Sequence, residues 1–236
     1  MQSIPTAADT NRIASLVADV EHQICAAADA AGRSRDELTL IAASKTRAVP
    51  EIRAAGAAGI RHFGENYLQE GMDKLTECTD MQATWHFIGA LQGNKTRPVA
   101  EHFDWVHTLD REKIARRLNG QCPEGKTLNV CLQVNIDADP HKAGVLPDQT
   151  KALLGACAPL ERLNIRGLMT ILHPDTEPAE GYGRLRELLD NLTSEAPEHW
   201  DSLSMGMSGD YPAAIAAGAT HIRIGTALFG PRKPRQ

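Results

Sequence analysis

Leu38-Thr-Leu-Ile-Ala-Ala-Ser-Lys45-Thr-Arg47 is an apolar run that ends on a lysine. From Leu38 to Ala43 it carries no charge, the signature of a strand buried on both faces, as in a parallel sheet. Small residues, Ala42, Ala43 and Ser44, lead up to Lys45, and Pro50 follows where the first turn of a helix accepts it. Barrels and doubly wound sheets put their chemistry at the C-terminal ends of strands, where this lysine falls. Its amine is also the side-chain group that forms Schiff bases with aldehydes. On position alone, a solvated lysine closing a strand is the commoner outcome, so the rest of the chain has to decide.

Outward from this stretch, strand and helix patterns alternate. A helix with Ile13, Leu16, Val17, Val20 and Ile24 on one face precedes it over residues 9–31. Strands are expected at 38–45, 60–66, 85–89, 105–109, 128–136 (the longest), 165–171, 203–208 and 221–225. Helices are expected between them at 50–58, 67–78, 95–101, 111–118, 148–158, 181–192 and 212–217. Such alternation means parallel strands joined by helical crossovers. Eight units in 236 residues is the size of a single (β/α)8 TIM-type barrel, here with an extra N-terminal helix. An open doubly wound sheet would want a Gly-x-Gly-x-x-Gly turn after its first strand, and Thr46-Arg-Ala-Val-Pro50 is no such turn. Helix, glycine and strand also recur: Ala54-Ala-Gly-Ala-Ala-Gly-Ile60 before Arg61 echoes Ala213-Ala-Ile-Ala-Ala-Gly-Ala219 before Arg223. No linker-like composition divides the chain. One domain is expected over 1–236, with 1–10 and 231–236 as frayed ends.

Composition excludes several function classes. A net charge of -5 advertises no nucleic-acid surface. The one basic cluster, Pro231-Arg-Lys-Pro-Arg-Gln236, reads as a frayed tail. Cys25, Cys78, Cys122, Cys131 and Cys157 are scattered, odd in number and without a Cys-x-x-Cys pair, which suits reduced thiols in a cytoplasmic protein rather than disulfides or a zinc cluster. The nine histidines lack metal-ligand spacing, so no metal is expected. No signal peptide opens the chain, and no apolar run approaches the roughly 20 residues of a membrane span.

The last third carries the second clue. Met207-Ser-Gly-Asp-Tyr-Pro212 follows the seventh strand and Arg223-Ile-Gly-Thr-Ala-Leu-Phe-Gly230 the eighth. Loops after strands seven and eight of a barrel commonly hold a phosphate, and a helix N-terminus adds its dipole and unpaired donors. Ser208 and Thr226 offer hydroxyls there, and Gly225 lets a ligand approach the backbone. Each loop alone could be a plain tight turn; together they indicate a phosphate monoester. With Lys45 across the mouth, the implied ligand is a phosphorylated aldehyde, and pyridoxal 5'-phosphate fits. Arg223, two residues before Gly225 on one strand, faces the same way. It could meet the pyridine nitrogen, where an obligate donor and cation leaves that nitrogen unprotonated; a barrel-end salt bridge is the alternative. His86 reads as a hydrogen-bonded core histidine, and Lys95 and Lys142 as solvated lysines.

Ala43-Ser-Lys-Thr46, Phe63-Gly-Glu-Asn-Tyr67, His86-Phe-Ile-Gly89, Leu91-Gln-Gly-Asn-Lys95, Gln133-Val-Asn-Ile136, Gly167-Leu-Met169, Ser204-Met-Gly-Met-Ser208 and Arg223-Ile-Gly-Thr226 together resemble the pyridoxal phosphate homeostasis protein family, in order and over nearly the whole chain. That family resembles the N-terminal barrel of alanine racemase. The resemblance implies that Lys45 carries the cofactor as an internal aldimine. It implies that Ser208, Gly225 and Thr226 hold the phosphate, Arg223 meets the ring nitrogen and Asn66 lines the ring. It further implies a carrier or buffer of the cofactor with no established reaction; a cytoplasmic monomer, with pyridoxal-phosphate-dependent apoenzymes as partners, is expected. Two positions depart from the family pattern: Gly93 stands where serine is usual, and His141 precedes Lys142 in His141-Lys-Ala-Gly144.

Two rival functions remain at this stage. A racemase needs a base on each face of Cα. Lys45 could serve one face, but alanine racemase draws the other, a tyrosine, from a second domain. Tyr67, Tyr182 and Tyr211 lie in no matching motif, and the chain ends soon after the eighth strand. A class I aldolase would instead use Lys45 on a sugar phosphate directly.

Overall fold

The first helix starts where its cap dictates. The Thr6 side chain accepts a hydrogen bond from the Asp9 N–H, and α1 runs Ala7–Ala30 with Ile13, Val17, Val20 and Ile24 buried. The computed structural model describes residues 6–231. Of the termini expected to fray, 1–5 and 232–236 lie outside the described residues, whereas Ala7–Thr10 are helical.

Eight parallel strands then close a barrel in sequence order: β1 Thr39–Ala43, β2 His62–Glu65, β3 Thr84–Phe87, β4 Trp105–Leu109, β5 Leu128–Gln133, β6 Leu163–Met169, β7 Ser202–Ser204 and β8 His221–Ile224. β8 pairs back on β1, with Ile41 opposite Arg223 and Ala42 opposite Ile224. The crossovers are α2 Val49–Ala57, α3 Leu68–Glu77, α4 Thr96–His102, α5 Glu112–Gln121, α6 Pro147–Cys157, α7 Pro178–Leu192 and α8 Tyr211–Ala216. A short α9, Thr226–Phe229, follows β8. The main apolar core lies between the strands' outer faces and these helices, with Phe63, Phe87, Phe103, Leu109, Tyr182 and Phe229 fully buried. α1 packs on α2, α8 and α9 and so covers the seam where β1 meets β8. Arg12 fastens it there by donating to the Phe229 carbonyl at 2.9 Å.

Three sequence expectations need correction. β6, with seven residues, is longer than β5, with six. β7 ends at Ser204 rather than Ser208, because Gly206 adopts φ +90 and turns the chain out of the ladder. A Cβ there would lie 2.6 Å from the Ala214 Cβ, so only glycine fits the turn. The added α9 occupies residues read only as a loop. Among the described residues, no helix is long and apolar enough to cross a membrane.

Candidate functional site

The turn after β1 is gripped from both sides of Lys45. Ser44, fully buried, donates through Oγ to Glu65 Oε1 at 2.6 Å. The Lys74 ammonium, from α3, reaches three acceptors: the Ser44 carbonyl at 2.7 Å, Glu65 Oε1 at 2.7 Å and Glu70 Oε1 at 2.6 Å. Glu70 in turn accepts the Thr46 N–H. Thr46 itself has φ +65, a left-handed conformation that is an outlier for a β-branched residue. Burial pushes the Glu65 carboxyl up, while Lys74 and Ser44 pull it back. Lys45 thus projects from a backbone fixed by ionic hydrogen bonds on each side, buried at Ser44 and exposed at Thr46.

Across the mouth, the β7 and β8 ends supply the other side chains. Lys45, Arg47, Ser208, Arg223, Gly225 and Thr226 line one cleft of about 270 Å³, closed by Ala43, Met207 and Gly209. Three lining residues are cations, two carry hydroxyls and none is acidic. Gly225 keeps the gap between β1 and β8 open: a Cβ there would come within 3.2 Å of the Ala43 carbonyl oxygen. α9 is a single turn, so its dipole is small. Donors for an anion are the two hydroxyls and the first N–H groups of that turn; those of Leu228 and Phe229 are already bonded to the Gly225 carbonyl at 3.0 Å. The Ser208 loop is tied by Asp210, which accepts from the Met207 N–H at 2.6 Å and from Tyr182 Oη at 2.8 Å. Arg223 is buried and donates to Ser204 Oγ at 2.7 Å and to the Thr170 carbonyl at 2.9 Å. Among the described residues it pairs with these neutral acceptors and with no carboxylate, unlike the barrel-end ion pair weighed above.

Asn66 lies apart from this cleft. It follows β2 and lines another cavity of about 300 Å³ with Gly89, Thr108, Gln133, His141, Lys142 and Ile171. Its Nδ2 donates to the Ile88 carbonyl at 3.5 Å, while its Oδ1 is buried without a partner. Gly89 permits this approach of the strand ends, since a Cβ there would sit 2.0 Å from the Asn66 carbonyl oxygen. His141 is exposed, and Lys142 pairs with Asp137 at 3.5 Å rather than standing solvated. At Gly93 a Cβ would meet the Arg117 and Ile114 side chains at 3.9 Å, an ordinary contact, so glycine is not required there by space. The exposed large apolar residues among those described, Tyr67, Ile171 and Met207, all stand on loops at this end of the barrel.

Sequence reasoning missed the Glu65–Lys74–Glu70 clamp and most of the barrel interior. His86 is hydrogen-bonded and fully buried, as expected, but its partners are other histidines. Recurrence of His-Phe at 62–63 and 86–87 was the available signal.

Comparison with known proteins agrees with this architecture. The family profile for the alanine racemase N-terminal domain matches residues 17–233. A pyridoxal phosphate homeostasis protein of Pseudomonas aeruginosa is 51% identical over 224 residues, covering 93% of this chain and 96% of that protein. One from Escherichia coli is 48% identical over 229 residues, covering 94% and 97%. The structure of PipY from Synechococcus elongatus, with pyridoxal phosphate bound, is 41% identical, superposes with a TM-score of 0.82, and covers 92% of this chain and 100% of that one.

Proposed function

This chain belongs to the family of pyridoxal phosphate homeostasis proteins, built on the alanine racemase N-terminal domain, and from that premise we propose that it binds pyridoxal 5'-phosphate and buffers or delivers it without turning over a substrate. The observation that carries the proposal is the cleft shared by Lys45, Arg223, Ser208 and Thr226, cationic and free of carboxylates. That donor set fits a phosphorylated aldehyde. The Asn66 Oδ1, buried without a partner in a separate cavity at the same end of the barrel, suits a polar edge of the same ligand.

When bound, pyridoxal phosphate supplies an aldehyde for amines and a ring that withdraws electrons from them. In this proposal Lys45 Nζ is the covalent attachment point. Ser208, Thr226 and the backbone at Gly225 hold the phosphate, Arg223 faces the ring nitrogen and Asn66 borders the ring. An arginine only donates and stays charged, so it keeps the nitrogen opposite unprotonated and blunts the ring as an electron sink. The tyrosines do not supply a second base. Tyr182 Oη donates to Asp210, and burial, aided by that carboxylate, pushes its pKa up; Tyr211 Oη donates to Gln23 at 2.9 Å. Tyr67 lines the Asn66 side of the mouth rather than the Lys45 cleft.

Apoenzymes that use the cofactor are the proposed recipients, and Tyr67, Ile171 and Met207 around the mouth suit a transient contact. A cytoplasmic, monomeric, single-domain protein completes the reading, in keeping with five free cysteines. The test is a panel of amino acids in deuterated water. The cofactor-loaded protein is expected to exchange no Cα proton above background and to pass cofactor slowly to an added apoenzyme. Exchange at a typical enzymatic rate of about 1 per second or faster, lost in Lys45→Ala, would make it an enzyme instead.

A further inference from the structure

TIM-barrel interiors are commonly layered with Val, Ile and Leu. Here the interior holds a continuous polar column. It starts at Arg223 near the C-terminal end of β8, whose Nη1 donates to Ser204 Oγ at 2.7 Å. Ser204 Oγ lies 2.8 Å from His107 Nδ1, His107 Nε2 lies 2.9 Å from His86 Nδ1, and His86 Nε2 lies 3.0 Å from His62 Nδ1. Ser204, His107 and His86 are fully buried, and His62, the first residue of β2, is partly exposed at the barrel floor. A fourth imidazole, His221, lies beside the column, its ring 5.7 Å from His107 and 6.2 Å from His86, and bonds Thr220 Oγ1 instead.

One hydrogen assignment satisfies every link and also gives the Ser204 proton an acceptor. Arg223 can only donate, so Ser204 Oγ accepts from it. The hydroxyl has one proton, and His107 Nδ1 is the acceptor beside it. A neutral imidazole that accepts at one nitrogen donates at the other. His107 therefore donates through Nε2 to His86, and His86 through Nε2 to His62. The reverse assignment leaves the Ser204 proton, deep in the barrel, with no acceptor among the bonds described, which is the costly arrangement. Burial also keeps His86 and His107 neutral, holding both well below the ordinary histidine range.

We propose that Ser204 and His107, backed by His86 and His62, are positioning residues for Arg223: the column is locked in one tautomer and holds the guanidinium toward the barrel mouth, with the Ser204 and imidazole hydrogens all pointing away from Arg223 and the cleft. A serine and imidazoles so polarised pass no proton through Arg223 to a ring at the mouth. The proposal deepens the cofactor-binding reading and rests on it for what Arg223 faces; the tautomers of the column do not depend on it.

The test uses full-length protein labelled with 15N-histidine. Imidazole 15N shifts are expected to show His107 and His86 each with a protonated Nε2 and a bare Nδ1. A protonated Nδ1 on either, or averaging between tautomers, would overturn the locked column. In Ser204→Ala, His107 is expected to lose its fixed tautomer. Pyridoxal phosphate should then dissociate about tenfold faster, as for loss of one hydrogen bond to a charged group. Ser204→Thr, which keeps the hydroxyl, should restore both. Unchanged dissociation in a folded Ser204→Ala would overturn the positioning role. A parent protein that retains no pyridoxal phosphate would instead defeat the binding reading, and the tautomer measurement would still decide the column.

Discussion

Lys45 owes its geometry to Ser44, Lys74 and Glu70, which fix the backbone on either side of it. Lys74 reads in the sequence as one more helix lysine; its burial comes from α3 lying over the β1 turn, which no local spacing records. Lys74→Met strands Glu65 as a buried, unpaired carboxylate and should cost about 3–5 kcal/mol in urea unfolding. Adding Glu65→Gln should recover much of that loss, because the carboxylate is then gone while Ser44 keeps an acceptor. A double mutant no more stable than the single one would place the cost elsewhere. At the proposed phosphate end, Ser208→Ala and Thr226→Val each remove a donor to a charged group, worth roughly 1.5–3 kcal/mol. Fluorescence titration should show affinity for pyridoxal phosphate falling about tenfold or more in each, and affinity for unphosphorylated pyridoxal unchanged.

At the scale of elements, strand existence was legible and strand ends were not. Uncharged runs and glycine caps mark the alternation that the barrel realises, and Trp105–Leu109 matches residue for residue. Ser204-Met-Gly-Met-Ser208 alternates like a strand, yet its end depends on the torsion of Gly206, which periodicity does not encode. Gly167 is a related case inside β6. It has φ +153, and a Cβ there would fall 1.9 Å from the Ser202 carbonyl oxygen, so β6 and β7 pair this closely only because the side chain is absent. Gly167→Ala must push β7 outward and should lower stability by about 3 kcal/mol or more, the range of severe backbone and packing defects. Thermal unfolding would check this, and a melting temperature equal to the parent's would show that the strands separate freely. Ser204 ends β7, so the same variant should also loosen Arg223.

For the whole molecule, the barrel interior sets the response to acid. A histidine in the unfolded chain titrates near 6.5. Burial takes His221 down to about 3 and holds His86 and His107 well below their usual range. Below about pH 6.5 the unfolded chain gains protons that the folded barrel refuses. Stability should therefore fall as pH drops from 6.5 toward 3, by up to about 1.4 kcal/mol per pH unit for each such imidazole. Urea unfolding at pH 7 and pH 5 reads this directly, and equal stabilities would mean that the interior takes up protons when folded. Of this column only Arg223 and His86 were read from the sequence, because His62, His86 and His107 meet only through the stagger of β2, β3 and β4. Of the cofactor contacts expected from the sequence, Lys45, Ser208, Arg223, Gly225 and Thr226 share one cleft, and Asn66 lines another cavity. The central claim is that Lys45 is where this barrel holds pyridoxal phosphate. Borohydride reduction of the cofactor-loaded protein, followed by peptide mass spectrometry, tests it most directly. The expected result is one pyridoxyl-phosphate adduct on the peptide containing Lys45 and none in Lys45→Ala; an adduct on another lysine, or none in the parent protein, would contradict it.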